Sequence, residues 1–307
     1  MSTTSTARPV AVLASRVRVD EKRIFAALDR RAVRYVQLDS RELRLADRAG
    51  RPAWSVVLNR EISLSRAVHA ARTLESWGVP VLNPAAAIEV CGNNWRTTLA
   101  LREHGVPTPR ASLALTPGAA LQIMTEMGFP VVVKPVTGSW GRLVTPVYDR
   151  ATAELVVEYI AALAGPESHL VYVQDLIEKP DRDLRVIVIG GRAVGAIYRR
   201  SAGWRTNVAR GGEALPCPLT DELARLACAA ASAVGAGIAG VDLIECADGS
   251  LSVLEVNHGV EFSGFQLAHG ESIDLADQLV GYLIECAELE AARPSDRPVP
   301  DELVASR

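Results

Sequence analysis

The sequence predicts an α/β chain whose sheet type changes partway along. Short apolar strands alternate with helical patterns through the first part, as a parallel sheet covered by helices requires. A β-branched strand then carries Lys134 into a glycine-containing loop, and two hairpins with glycine turns dominate the last part. A parallel sheet, a small inserted α/β lobe and a hairpin-built α+β lobe should therefore follow one another.

In chain order, residues 9–84 show strands at Val10–Leu13, Tyr35–Leu38, Ser55–Asn59 and Val81–Leu82, with helical periodicity around Ile24–Leu28 and Ala67–Trp77. A helix over Asn94–His104 ends at "GVPTPR", where two prolines force extended chain. A strand, a helix near Pro117–Met127, the stretch "VVVKPVTGSWGRLVTPV" and a helix over Ala151–Leu163 make up the middle lobe. Beyond Val171, "DLRVIVIGGRAVGAIYRR" reads as two strands about Gly190-Gly191 and "IAGVDLIECADGSLSVLEVNHG" as two strands about Asp248-Gly249; both dipeptides supply the positive φ of two-residue turns. A helix near Ile273–Leu289 closes the fold, and the Pro- and charge-rich end reads as a loose tail.

Composition excludes several classes. At 49% hydrophobic and 22% charged residues the chain can bury substantial cores, and a net charge of −3 offers no global field for nucleic acid. The five cysteines (Cys91, Cys217, Cys228, Cys246, Cys286) form no CxxC pair and are expected to be reduced thiols, which fits a cytoplasmic protein. The start lacks the basic-then-apolar order of a signal peptide. The most apolar stretch, "LARLACAAASAVGAGIAGV", contains Arg225, Gly235, Gly237 and Gly240 and reads as a helix turning into a strand, so no membrane span is expected.

Three features carry chemistry. No G-x-x-x-x-G-K-[ST] and no helix-opening G-x-G-x-x-G is present, which excludes a P-loop and a dinucleotide site. The loop after Lys134 leads into "RLVTPV", so it reads as a hairpin tip whose glycines free backbone N–H groups for an anion while Lys134 reaches phosphate oxygens. A plain turn with a surface lysine remains open for that stretch alone. In the second hairpin, closing the turn at Ala247 and Ser250 and counting back along both strands places Asp242 opposite Glu255. Facing carboxylates among apolar neighbours repel, a conflict that a hard divalent cation relieves; Asn257 shares their face and adds an oxygen. Solvated acids on an exposed sheet face are the alternative. Finally, Leu184–Gly212 holds six arginines (Arg185, Arg192, Arg199, Arg200, Arg205, Arg210) and no acid, a wall suited to phosphate and carboxylate. Arg199, Arg200 and Arg210, near Trp204 and Asn207, are the better candidates in it.

In this order, "KPVTGSWGRLV", "VQDLIEKPDRDLRVIVIGGRAVGAIYRRSAGWRTNVARGG", "VDLIE" and "LEVNHGVEFSG" resemble the ATP-grasp ligases, and among them the LysX/ArgX (RimK-like) group that works with amino-group carrier proteins. The resemblance runs from about Pro9 to Cys286. It implies an ATP-grasp fold with an N-terminal Rossmann-like (pre-ATP-grasp) domain over 1–88, a central lobe with the glycine-rich loop over 89–172, a C-terminal lobe over 173–289 and a flexible tail over 290–307. In such a ligase a carboxylate is phosphorylated and an amine attacks, giving amide, ADP and phosphate.

The cofactors implied are ATP and Mg²⁺. The resemblance places Lys134, Gly138, Ser139, Trp140, Gly141, Gln174, Asp175, Leu176, Ile177, Glu178 and Arg185 at the nucleotide, with Gln174–Glu178 as the inter-lobe strand along adenine and ribose. It places Asp242, Glu255 and Asn257 at Mg²⁺, makes Arg199 and Lys134 catalytic, and sets Arg200, Asn207, Arg210, Asn257, Glu261 and Phe262 at the substrate. The partners implied are a small acidic carrier protein with a C-terminal glutamate and an acidic amino acid such as α-aminoadipate or glutamate. No nucleic acid and no membrane are expected, and related enzymes suggest a homo-oligomer. A RimK-like glutamate ligase acting on another protein or peptide is a second reading, and a nucleotide-binding sensor without turnover is a third.

Two departures stand out. Asn93-Asn94 occupies the place where the family usually shows Asp-Lys, the lysine being a phosphate contact, and Arg96 lies two residues on. The distal part of "NHGVEFSGF" also differs from the α-aminoadipate-type pattern.

Overall fold

The structure, a computed structural model, describes residues 8–46, 52–138, 143–201 and 213–292. The first sheet is parallel in the order β2-β1-β3-β4: β1 Val10–Leu13, β2 Tyr35–Leu38, β3 Val57–Asn59 and β4 Val81–Leu82. Helices α1 (Val19–Arg30) and α2 (Leu64–Ser76) connect its strands. In α1, Ile24, Ala27 and Leu28 recur at the three- and four-residue spacing of one helix face and are fully buried. Each of the two large side chains contributes about 1.5–3 kcal/mol by that burial.

The middle lobe follows α3 (Ala85–Cys91) and α4 (Asn94–Glu103). Asn93 caps α4 by accepting a hydrogen bond from the Arg96 N–H at 3.0 Å. An antiparallel sheet in the order β5-β8-β6-β7 comprises β5 Ala111–Ala114, β6 Val131–Pro135, β7 Thr145–Val147 and β8 Val171–Asp175. It packs on α5 (Pro117–Met127) and α6 (Arg150–Ala161). Thr116 at the N-cap with Pro117 in the first turn starts α5, and Asp149 caps α6. The hairpin tip expected after Lys134 is therefore the β6–β7 connection.

The third sheet is antiparallel in the order β11-β10-β9-β12-β13, with β9 Arg182–Ile189, β10 Arg192–Arg200, β11 Glu213–Cys217, β12 Ile238–Glu245 and β13 Leu251–Asn257. Gly190 and Gly191 form the two-residue turn between β9 and β10, both at positive φ. One face of this sheet buries Val186, Val188, Val241, Leu243, Val253 and Val256 against Leu223, Ala227 and Ala230 of α7 (Asp221–Ala233). After β13 come α8 (Ser263–His269) and α9 (Leu275–Ala291).

The middle sheet has a core of its own, whereas the N-terminal and C-terminal sheets share one. Helix α9 returns to pack on α1, and one cluster joins Val12, Ile24 and Leu28 to Ile187, Ile197, Phe262, Leu279 and Leu283. Asn83 fastens the same junction: its amide nitrogen donates to the Ile238 carbonyl (2.7 Å) and the His258 carbonyl (3.0 Å), and its oxygen accepts from the Ile238 N–H (2.9 Å). Asn83→Ala strands these buried backbone groups and should cost about 2–4 kcal/mol; a urea-unfolding midpoint that does not move would contradict that role.

Charges fasten it too. Glu21 accepts from Arg18 Nε (3.0 Å) and Arg60 Nε (2.9 Å), while Arg60 Nη1 donates to the Val260 carbonyl (2.7 Å). Burial pushes the Glu21 carboxyl up, but Arg18 and Arg60 outweigh it and leave the pKa below the ordinary 4.5. A depressed carboxylate adds stability that is present in full above its ordinary pKa and lost as pH falls through the depressed value. Acid titration of stability should therefore show a loss below about pH 4.5 that Glu21→Gln makes shallower, measured by denaturation at pH 3–7.

Candidate active site

A cavity of about 810 Å³ opens where the three sheets meet. Its floor is the second face of the C-terminal sheet. Strand register lines up Ile197 of β10, Arg185 of β9, Asp242 of β12 and Glu255 of β13 in one row across four strands. Arg185 holds Asp242 with two parallel bonds, Nε to Oδ1 at 2.7 Å and Nη2 to Oδ2 at 2.8 Å. Arg199, 3% exposed, donates from Nε to Asp183 (2.6 Å) and brings Nη2 to 3.0 Å from Asp242 Oδ2. Asn257 Nδ2 lies 3.4 Å from the same oxygen.

The predicted Asp242–Glu255 pairing is observed, but by a different route. Beside the turn, Cys246 rather than Ala247 pairs with Ser250, so the loop is one residue longer than expected, with Gly249 at φ +83°. Leu243 pairs with Val253 while Asp242 pairs with Glu255, leaving Leu254 as a bulge that shifts the register back. The bulge also turns Leu254 and Glu255 to the same cavity side, while Val253 and Val256 face the core. A second bulge interrupts β10 between Ala193 and Gly195 and sets Arg199 opposite Asp183. Gly195 is required there, because a Cβ would lie 2.6 Å from Phe265 Cζ.

The electrostatics of the floor are unequal. Burial raises the Asp242 carboxyl, yet Arg185 and Arg199 more than offset this and hold its pKa below the ordinary range. Glu255 is pushed up, by burial first and by the facing Asp242 second. Lys134 lines the opposite wall, its pKa lowered by burial and partly supported by Glu255 and Asp242. Two facing carboxylates with an amide oxygen carrier beside them form a hard-oxygen donor set that fits Mg²⁺, whose remaining ligands come from water and phosphate. Among the described residues no cluster of three or more His, Cys, Asp and Glu side chains competes as a metal site.

Other expected residues fall in different places. Gly138, Gln174, Asp175, Leu176, Ile177 and Glu261 line the cavity. Glu178 is exposed and does not line it. Ser139, Trp140, Gly141, Asn207 and Arg210 lie outside the described residues. Two expectations are corrected. Arg200 follows Arg199 on the strand, so the alternation of side chains takes it off the cavity face to solvent. The Phe262 ring is fully buried in the core under Arg60, and what faces outward from its segment is Glu261. Arg96 is no stand-in for a lysine at 94: it is exposed, 3.9 Å from Glu89 on the outside.

Sequence reasoning missed Arg18 and Arg60, which reach the cavity from the N-terminal sheet's side; Arg18 Nη1 bonds Glu261 at 2.6 Å. It also missed Asp183, Lys179 and His258 on the lining. Pairing of β9 with β10 would have exposed Asp183, had the bulge been visible. Nothing local marks the N-terminal arginines.

Comparison with known proteins gives the family. Residues 91–283 match the RimK-like ATP-grasp domain, and residues 10–90 the LysX pre-ATP-grasp domain. A glutamate–LysW ligase, ArgX, of Sulfolobus acidocaldarius is 32% identical over 276 residues, covering 89% of this chain and 97% of the relative. An α-aminoadipate–LysW ligase, LysX, of the same organism is 34% identical over 208 residues, covering 67% of this chain and 75% of the relative. The crystal structure of a RimK-domain ATP-grasp protein from Sphaerobacter thermophilus superposes with a TM-score of 0.75 at 27% identity, over 89% of this chain and 98% of that one.

Fold and matches together define an ATP-grasp enzyme, a ligase that joins a carboxylate to an amine. Within that class the chain belongs to the RimK-like ATP-grasp family, with a LysX-type pre-ATP-grasp domain in front.

Glu255→Gln and Asp242→Asn each remove one charge from the facing pair. Turnover with saturating ATP and Mg²⁺ should fall by about two to three orders of magnitude in either variant, the size of a lost metal contribution of several kcal/mol. Activity within a few-fold of the parent in both would remove this pair from the reaction.

Proposed function

We propose that this ligase uses ATP and Mg²⁺ to phosphorylate the C-terminal carboxylate of a small acidic carrier protein and joins it to the amino group of an acidic amino acid, glutamate, α-aminoadipate or an analogue. The observation that carries the reading is the Arg185–Asp242–Glu255 row, flanked by Arg199 and facing Lys134. Relatives named for LysW ligation supply the carrier class.

Each residue has a physical task in this scheme. Asp242, Glu255 and Asn257 would hold Mg²⁺, which when bound offsets phosphate charge and draws electron density from the transferred group. Lys134 at the end of β6 presents its ammonium to phosphate oxygens beneath Gly138. Gln174–Ile177 run along the nucleotide wall between the lobes. Arg199 is locked by Asp183 and Asp242, so its guanidinium is preorganised for charge that develops on the reacting carboxylate. Arg18 and Glu261, at the N-terminal side of the cavity, form its polar rim toward the amino acid. Ile197, Ile244 and Leu254 keep the floor between the charges apolar, which strengthens every electrostatic contact there.

The test is ADP release by the purified chain with ATP, Mg²⁺ and a panel of acidic amino acids, with and without candidate carriers, followed by intact mass of the carrier. An ATP-dependent gain of one amino acid less water establishes the ligation and identifies the amino acid. ADP release with a peptide or another protein as sole acceptor supports the RimK-like reading instead. Nucleotide binding without ADP or adduct across the panel overturns both and leaves a sensor.

A further inference from the structure

We propose that Gln174, Tyr172, Thr98 and Asn94 form a hydrogen-bonded chain that positions the Lys134 ammonium, so that Gln174 acts on the lysine rather than on adenine or ribose. The inference rests on the reading of Lys134 as the phosphate lysine. Lys134 Nζ donates to Gln174 Oε1 at 2.7 Å, and Gln174 Nε2 donates to the Tyr172 hydroxyl at 2.9 Å. That hydroxyl lies 2.8 Å from Thr98 Oγ1, which donates to the Asn94 carbonyl at 3.0 Å. Asn94 then closes the ring: its N–H donates to the Val136 carbonyl (2.8 Å) and its Nδ2 to the Pro135 carbonyl (2.8 Å), the carbonyls of the two residues that follow Lys134.

Proton counting gives the chain a direction. The Thr98 hydroxyl proton goes to the Asn94 carbonyl, so Tyr172 must donate to Thr98. Tyr172 is then left with lone pairs only, and it can only accept from Gln174. The Gln174 amide is therefore held with its nitrogen toward Tyr172 and its oxygen toward Lys134. Turned the other way, it would aim a donor at an ammonium.

Tyr172, Gln174 and Thr98 are 1%, 1% and 2% exposed, so water does not replace the bonds among them. The Tyr172 ring, 5.8 Å from Nζ, adds a second attraction for the cation. Asn94 stands where the family usually places a second phosphate lysine. Here its side chain is spent on Pro135, which makes it an anchor of the chain and leaves the phosphate wall more dependent on Lys134 alone.

The chain has three lysines, Lys22, Lys134 and Lys179. Acetylation of each by acetic anhydride can thus be followed by peptide mass against pH, without nucleotide. Gln174→Glu keeps an acceptor and adds a charge, so the Lys134 midpoint should rise. Gln174→Leu and Tyr172→Phe should lower it while Lys179 keeps its own midpoint. ATP dissociation constants from calorimetry should increase about three- to tenfold in Gln174→Leu and Tyr172→Phe, the value of one such hydrogen bond, and recover in Gln174→Glu.

An unchanged Lys134 midpoint in all three variants, or a shift of the same sign for Glu and Leu, overturns the positioning role. Lys134→Ala separates the two readings. If it binds ATP as tightly as the parent, the phosphate assignment of Lys134 fails, and the midpoint shifts alone then decide the chain.

Discussion

The structure depends on one desolvated carboxylate, Asp242, set in the middle of a sheet. A buried carboxylate without partners is prohibitively costly, so its surroundings are constrained. Arg185 must come from the neighbouring strand in register, and Arg199 from one strand further, where Asp183 in turn holds it. With Glu255 added, the described residues of the floor include three acids and two arginines, and Lys134 of the middle lobe faces them across the cavity. The opposite face of the same strands buries an apolar cluster against α7, and that packing, rather than the ion pairs, carries the stability of the sheet. The charges specify which strands lie together and in what register.

How much of this could be read in advance varies with the signal available. The parallel sheet, the Lys134 strand, the Gly190-Gly191 hairpin and the helices around Pro117 and Ala151 follow from periodicity, proline and glycine, all local and all visible. The Asp242–Glu255 pairing was also legible, although the count that found it assumed a two-residue turn. The turn holds three residues, and the bulge at Leu254 shifts the register by one in the compensating sense. Two deviations of opposite sign leave the pair intact. Bulges lack a dependable sequence mark, since they are selected by what packs on them: Gly195 is needed because Phe265, seventy residues later in the chain, occupies the space of its side chain.

The same blindness explains the misplaced residues. Arg199 and Arg200 are chemically equal and adjacent, and only the strand's orientation tells that one faces the cavity and the other solvent. Glu261 and Phe262 present the reverse case, in which the polar residue of the pair reaches the cavity and the aromatic one anchors the loop in the core. Arg18 and Arg60 come from the N-terminal part of the chain, where composition shows nothing unusual. Their place at the site is a property of tertiary packing.

That packing bears on how the cavity works. The segment after β13, residues 258–263, is held at several points by the N-terminal part. Asn83 binds the His258 carbonyl, Arg60 the Val260 carbonyl, Arg18 the Glu261 carboxylate, and Asp20 accepts from the Phe262 N–H at 3.0 Å and from the Ser263 hydroxyl. Backbone tied at both ends and in the middle has little freedom, so this wall of the cavity is held in place. The wall that carries Lys134 and Gly138 belongs instead to the middle sheet, where β6 pairs with β8 and is joined to α4 through Asn94. The cavity thus lies between a wall fixed to the N-terminal sheet and a wall that belongs to the middle lobe. The pre-ATP-grasp domain is then a structural part of the cavity, and the LysX-type match over residues 10–90 adjoins the RimK-like match that follows it.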